Sequence, residues 1–111
     1  IDALFIDAIH SYEEVHADFH HYLPFLTKRA RVAFHDFLPE RTAFPGVRQF
    51  IEEELLASGE WRWDDFRGAL LTIQRVRRSR AVIEHNQRCL EAARERIRAI
   101  ARQQEPMRKA G

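Results

Sequence analysis

Apolar residues follow two kinds of spacing along this chain, and the switch between them predicts its elements. Leu4, Phe5 and Ile6 form a short continuous apolar run that stops at Asp7. Val32, Ala33 and Phe34 form another, which stops at His35-Asp36. Short runs rich in β-branched and aromatic residues read as strands buried on both faces, here over residues 2–7 and 31–35. Between them Val15, Phe19, Tyr22, Leu23 and Leu26 recur at helical spacing and supply one buried face. Ser11-x-x-Glu14 opens that helix as a capping box, and Pro24 with the basic turn at 28–31 closes it. Strand, helix and strand in this order predict a right-handed βαβ unit with parallel strands.

Residues 37–46, with Pro39, Pro45 and Gly46, read as a loop directly after the second strand, where α/β proteins keep substrate-contacting segments. Val47, Phe50, Ile51 and Leu55 mark a second helix, closed by Ser58-Gly59. Trp61-Arg62-Trp63 alternates like a strand, Asp64-Asp65-Phe66-Arg67-Gly68 reads as a turn, and 69–76 reads as the returning strand. The pair predicts an antiparallel hairpin in which both tryptophans serve packing. From Arg77 onward the signal is helical: Ile83, Leu90 and Ile97 recur every seven residues, as do Asn86, Ala93 and Ile100. That falls short of the three to four heptads a coiled coil requires. Pro106 is expected to end the helix and Met107 to Gly111 to be disordered. The fold class is α/β, a short parallel sheet extended by an antiparallel hairpin, with a C-terminal helix.

The 111 residues suit one small domain. A single cysteine, Cys89, excludes an internal disulfide and a multi-cysteine zinc site. No run approaches the ~20 apolar residues of a membrane span and no signal peptide is visible, so a cytoplasmic location without membrane contact is expected. The net charge of +1 hides an asymmetry. Residues 1–76 hold 8 Lys/Arg and 13 Asp/Glu; residues 77–111 hold 10 and 4. Two units are therefore expected, an acidic one over 1–76 and a basic helical tail over 77–111. Glu84, Glu91 and Glu95 interrupt the basic residues and no aromatics interleave, which disfavours nucleic acid. A solvated helix is expected, with an apolar seam packed on its own domain or on a second copy.

In an open parallel sheet the ligand crevice lies outside the carboxyl ends of the strands. Asp7 and Asp36 would stand there side by side, with His10 and His35 beside them. Asp7 suits a divalent-metal ligand or a polar anchor, against the plainer role of capping the next turn. The near-neutral pKa of His10 suits a general base, against a histidine bonded at a helix start. Asp36 would share an ion with Asp7; Mg²⁺ takes oxygen ligands, while the imidazole of His35 suits Mn²⁺, Fe²⁺ or Zn²⁺ better. Adjacent strand residues face opposite ways, so His35 reaches such an ion only if the strand has already ended. His16 and His20 are four apart, a metal-ligand spacing. No third ligand accompanies them in sequence, and with His21 they are expected on a solvated face.

These residues resemble the second half of a class I S-adenosylmethionine-dependent methyltransferase. The nearest group has a fourth strand ending in Phe-Ile-Asp-Gly-x-His-Ser-Tyr and a fifth ending in His-Asp or Glu-Asp. Here the motifs stand as Phe5-Ile6-Asp7-Ala8-Ile9-His10-Ser11-Tyr12 and Phe34-His35-Asp36. The likeness continues through Glu13-Glu14-Val15, Asp18-Phe19, Tyr22-Leu23-Pro24-Phe25-Leu26 and Pro45-Gly46-Val47 opening a helix, and covers roughly residues 1–76. Ala8 replaces the group's glycine, and Lys28-Arg29-Ala30-Arg31 replaces its Lys-Pro-Gly-Gly turn. The resemblance implies a partial Rossmann-like sheet and methyl transfer from S-adenosylmethionine to a hydroxyl of a small-molecule acceptor. It implies Asp7 at the donor, Asp7, Asp36 and His35 at a Mg²⁺ or Mn²⁺ ion, and His10 as the base. No Gly-x-Gly-x-x-Gly loop occurs, so the donor-binding half is expected in a longer chain and this segment alone is expected to be inactive. Two other readings stay open: an inactive α/β interaction module that associates through its basic helix, including as a homo-oligomer, and a metal-dependent hydrolase on the same rim.

Overall fold

A computed structural model describes residues 1–6, 11–35, 37 and 45–110, with 104–110 given by their backbone alone. Strand β1 (Ala3–Ile6) leads to helix α1 (Tyr12–Tyr22), which tightens into a 3₁₀ turn at Leu23–Phe25. Strand β2 (Arg31–Phe34) follows, then helix α2 (Pro45–Gln49), which continues as a π-helical segment over Phe50–Leu56. The hairpin β3 (Trp61–Arg67) and β4 (Leu70–Arg75) precedes the long helix α3 (Arg80–Ala110). The sheet order is β1-β2-β4-β3; β1 and β2 run parallel, and β4 is antiparallel to both its neighbours. This is the expected α/β architecture: a parallel pair joined by a helix, extended by an antiparallel hairpin, with a C-terminal helix.

One face of the sheet carries the core. Ile6, Val32, Phe34, Leu71, Ile73, Trp61 and Trp63 are buried there. Val15 and Phe19 of α1 and Val47, Phe50, Ile51 and Leu55 of the second helix cover them. Phe19 lies at the centre, its ring 5.4 Å from Trp61, 5.6 Å from Phe50 and 6.4 Å from Phe34. Burying each such side chain contributes roughly 1.5–3 kcal/mol before conformational entropy is counted. Tyr22 and Leu23, expected in the same stripe, are only half-buried; Tyr22 is the last residue of α1, and at Leu23 the 3₁₀ turn leaves the helical period.

The other face departs from expectation. β1 and β2 read as strands buried on both sides, yet Phe5 is 57% exposed and no helix among the described residues covers that side. A continuous apolar run is two-sided in composition, but α1 and α2 both pack on the same side of the sheet.

The hairpin also differs. The Asp64-Asp65-Phe66-Arg67 stretch is strand, not turn, and β3 runs unbroken to Arg67. Trp63 pairs with Ile73 and Asp65 with Thr72, which leaves Asp64 as the extra residue of a β-bulge. The bulge resets the alternation, so that Phe66 joins Trp63 on the core face, ring centroids 5.7 Å apart, and both aspartates face water. Gly68 turns the chain instead, at φ 60°, in a two-residue loop between the Arg67–Leu70 pair.

Helix α3 begins at Arg80, where the Ser79 hydroxyl accepts the Val82 N–H at 3.2 Å. It does not stop at Pro106, and Met107 to Ala110 are helical. The ring removes one backbone donor at a cost of about 3 kcal/mol in a helix interior, and the helix nevertheless continues past it. The amino-terminal half of α3 lies against the outer edge of β3. Asn86, 2% exposed, accepts the Trp63 N–H at 2.8 Å and donates to the Trp61 carbonyl at 2.7 Å and the Leu56 carbonyl at 3.0 Å. His85 Nε2 lies 2.9 Å from the Trp63 carbonyl, which can only accept, so that nitrogen carries the proton. One side-chain amide thus substitutes for a neighbouring strand and closes an edge that would otherwise invite pairing. Ala93 is buried in the same seam, whereas Ile100 at its far end is exposed.

Candidate functional site

The parallel pair sets the geometry of the rim. Ile6 pairs with Phe34, and the His35 N–H donates to the Ile6 carbonyl at 3.1 Å. The two strands therefore end level. β2 stops at Phe34 and His35 occupies the turn that follows, still on the face of Phe5 and Ala33 that alternation gives it. His35 is exposed, its ring 6.4 Å from that of Phe5 on the uncovered face. Asp7 and Asp36 follow these strand ends in sequence; they and His10 lie outside the described residues. Of the four predicted site residues, His35 is the one the structure describes.

Three features hold the rim in shape. Ser11 caps α1 by accepting the Glu14 N–H at 3.1 Å, and its own hydroxyl donates to the Glu14 carboxylate at 3.0 Å. The capping box is present, with the glutamate returning to the cap hydroxyl rather than to its backbone. Gly46 brings α2 against the start of α1: a Cβ there would stand 2.5 Å from the Tyr12 nitrogen. Pro45, at the first helical position, spends no needed N–H. Phe37, 1% exposed, fastens the chain just past β2 to the hairpin. Its N–H donates to the Ala69 carbonyl at 3.0 Å, and its ring meets Trp63 and Phe66 edge-on at 6.0 and 5.8 Å. Sequence reasoning took Phe37 as the first loop residue; it read Gly46 as the end of that loop and also, by resemblance, as part of a helix opening at Pro45-Gly46-Val47, which α2 bears out. The only local signals were a large apolar residue after a strand and a glycine next to a helix start.

Tyr12 and the first-helix histidines form a second cluster beside the rim. Tyr12 stacks on His16 at 5.8 Å, His16 lies 4.2 Å from His20, and the Tyr12 and His16 rings meet Phe50 edge-on. His16, expected on a solvated face, is half-buried; His20 and His21 are exposed as expected. Glu54, contributed by the second helix, lies 4.0 Å from His16 Nε2. A hydrogen bond to Glu54, then desolvation and the neighbouring carboxylates, holds the Tyr12 phenol above its ordinary value, so it stays protonated. No group of three or more His, Cys, Asp or Glu among the described residues is arranged to hold a metal ion. Cys89 lies 3.5 Å from His85 Nε2, but burial pushes its thiol up despite Arg62 and Arg88 nearby. A protonated thiol is a poor nucleophile, so these surroundings do not activate Cys89.

No helix among the described residues is long and apolar enough to cross a membrane. No curated protein and no solved structure gives a significant match to the chain. Residues 1–37, which hold β1, α1, β2 and the rim between them, match the family model described as a methyltransferase domain; the match spans about a third of the chain and supports a methyltransferase.

Proposed function

We propose that this chain carries the acceptor-side half of an S-adenosylmethionine-dependent methyltransferase domain that works within a longer polypeptide. The observation that carries the reading is the level pair of parallel strand ends inside the segment that matches the methyltransferase family. Its acceptor is a small molecule methylated on a hydroxyl oxygen. The donor supplies an already activated methyl group, so the protein's work is positioning and charge. His10 takes the hydroxyl proton as the oxygen attacks, and Asp7 anchors the donor. Two carboxylates and one imidazole, from Asp7, Asp36 and His35, make a donor set suited to Mn²⁺ at least as well as to Mg²⁺. Such an ion would lower the acceptor's pKa when bound.

Among the described residues nothing pairs with the outer edge of β1 or covers the face around Phe5; both features support a partner layer in the same polypeptide, because a free strand edge and an exposed aromatic face are costly in isolation. The same two features favour the runner-up, an inactive module that pairs with another protein. Calorimetric titration of S-adenosylmethionine into the protein as its gene encodes it, with and without Mg²⁺ or Mn²⁺, separates the two. Micromolar binding is expected. Absence of binding under both conditions would reject the methyltransferase reading and leave the module.

A further inference from the structure

The turn before β2, where the sequence departs from the family's Lys-Pro-Gly-Gly, does something else here. Thr27 to Ala30 form a tight turn closed by the Ala30 N–H on the Thr27 carbonyl at 3.2 Å, and Lys28 and Arg29 project from it. The Gln74 amide donates to the Arg29 carbonyl at 3.3 Å, and the Arg75 N–H donates to the Ala30 carbonyl at 2.8 Å, which pins the turn to the end of β4. Between the turn and the chain leaving β4 lies a cleft of about 670 Å³, lined by Lys28, Arg29, Gln74, Arg75, Val76 and Arg77. Four of these six residues are cations, and none is a carboxylate. Two acids border this region and are engaged there: the Asp2 carboxylate accepts the Thr27 hydroxyl at 2.9 Å, and Asp64 pairs with Arg31 at 3.5 Å. Glu60 meets this region through its backbone, its carbonyl accepting the Val76 N–H at 2.9 Å.

We propose that this cleft binds a linear oligophosphate, free or carried by a small molecule such as a nucleoside triphosphate. Arg75 is already placed for the task. Its guanidinium donates to the Leu26 carbonyl at 3.2 Å and lies 5.9 Å from the Trp61 ring centroid, so little side-chain freedom remains to be lost on binding. Lys28, Arg29 and Arg77 are exposed, and each alone would hold a single anion weakly in water. Linked phosphates engage several cations at once, and the later contacts come at high effective concentration. The volume lies within the roughly 300–1,000 Å³ of small-molecule sites. No aromatic ring lines the cleft, whereas single-stranded nucleic acid is held largely by stacking. The site is independent of the methyl-transfer reading. Gln74 pairs with Arg31 at the start of β2, so the cleft and His35 stand at opposite ends of that strand, roughly 13 Å apart.

The test is titration of inorganic tripolyphosphate and of ATP into the full chain, followed by calorimetry and by tryptophan emission, which the Arg75–Trp61 contact should make responsive. Saturable binding of tripolyphosphate below about 1 mM is expected, with orthophosphate at least roughly tenfold weaker. ATP binding as tightly as tripolyphosphate would identify the phosphate chain as what is read in both sources; tighter ATP binding would assign the site to a nucleotide. The double variant Arg29→Gln/Arg77→Gln should lose about tenfold or more in affinity with an unchanged circular dichroism spectrum, while Arg102→Gln, far along α3, should bind as wild type. Three results would overturn the proposal: no saturable binding, an equal loss in Arg102→Gln, or tighter binding of a short single-stranded RNA than of tripolyphosphate.

Discussion

Replacing Asn86 by alanine tests whether one amide holds α3 to the sheet. The side chain makes three hydrogen bonds in a site almost closed to water, to Trp63, Trp61 and Leu56. Alanine leaves one backbone donor and two carbonyls without partners. Each unsatisfied buried group costs about 1–3 kcal/mol, and water entering the space left by the amide recovers part of that. A net loss of about 3 kcal/mol is expected, which in a domain of this size lowers Tm by roughly 12–20 °C. Asn86→Asp should cost more, because it keeps an acceptor for the Trp63 N–H but sets a carboxylate against two carbonyls. Urea unfolding followed by tryptophan fluorescence and far-ultraviolet circular dichroism gives both values, since Trp61 and Trp63 flank the amide. A loss below about 1 kcal/mol for the alanine variant at an unchanged m-value, or an aspartate variant as stable as wild type, would refute the edge-closing role. The consequence reaches the rim: the hairpin that α3 secures is the surface on which Phe37 anchors the chain beside Asp36.

Gly46→Ala should cost about 1–3 kcal/mol, because its Cβ would collide with the Tyr12 backbone and push the two helix starts apart; an unchanged urea midpoint would remove the close approach. Ser11→Ala should cost about 1 kcal/mol through the lost cap, and Ser11→Asp should recover most of it in the same assay. In the protein as its gene encodes it, His10→Ala should lower methyl-transfer turnover by roughly 10²–10⁴-fold while the calorimetric affinity for S-adenosylmethionine stays put; wild-type turnover would end its assignment as the base. Asp7→Asn should weaken any dependence of that turnover on Mg²⁺ or Mn²⁺.

Much of the fold was legible because it is written in local spacing. The α1 stripe of Val15 and Phe19, the Ser11–Glu14 cap and the closure of the second helix at Ser58-Gly59 need only neighbours within four residues. The end of β2 was legible to within one residue: the sequence puts the strand at 31–35, and it stops at Phe34. The hairpin was misread because Asp64 and Asp65 have the composition of a turn. Their place in a strand depends on pairing with β4 and on a bulge, and neither leaves a mark within β3 itself. Pro106 was misread as well: a proline argues for a helix end, yet α3 runs on to Ala110.

By itself the sequence determined the order of elements, the parallel strand–helix–strand unit and the histidine and aspartates that follow its strand ends, because each depends on residue type at short range. Only the tertiary structure decided which residues from distant segments meet. It placed Glu54 against Tyr12 and His16, Asn86 along the β3 edge, Gly46 against Tyr12, and the Lys28-Arg29 turn beside Arg75 and Arg77. It also left the Phe5 face without a covering helix among the described residues, because α1 and α2 pack on one side of the sheet. Such contacts span 23 to 49 positions in the chain for Asn86 with Trp63 and Arg75 with Leu26. No periodicity encodes them; they follow from how the helices and strands stack once their apolar faces are buried.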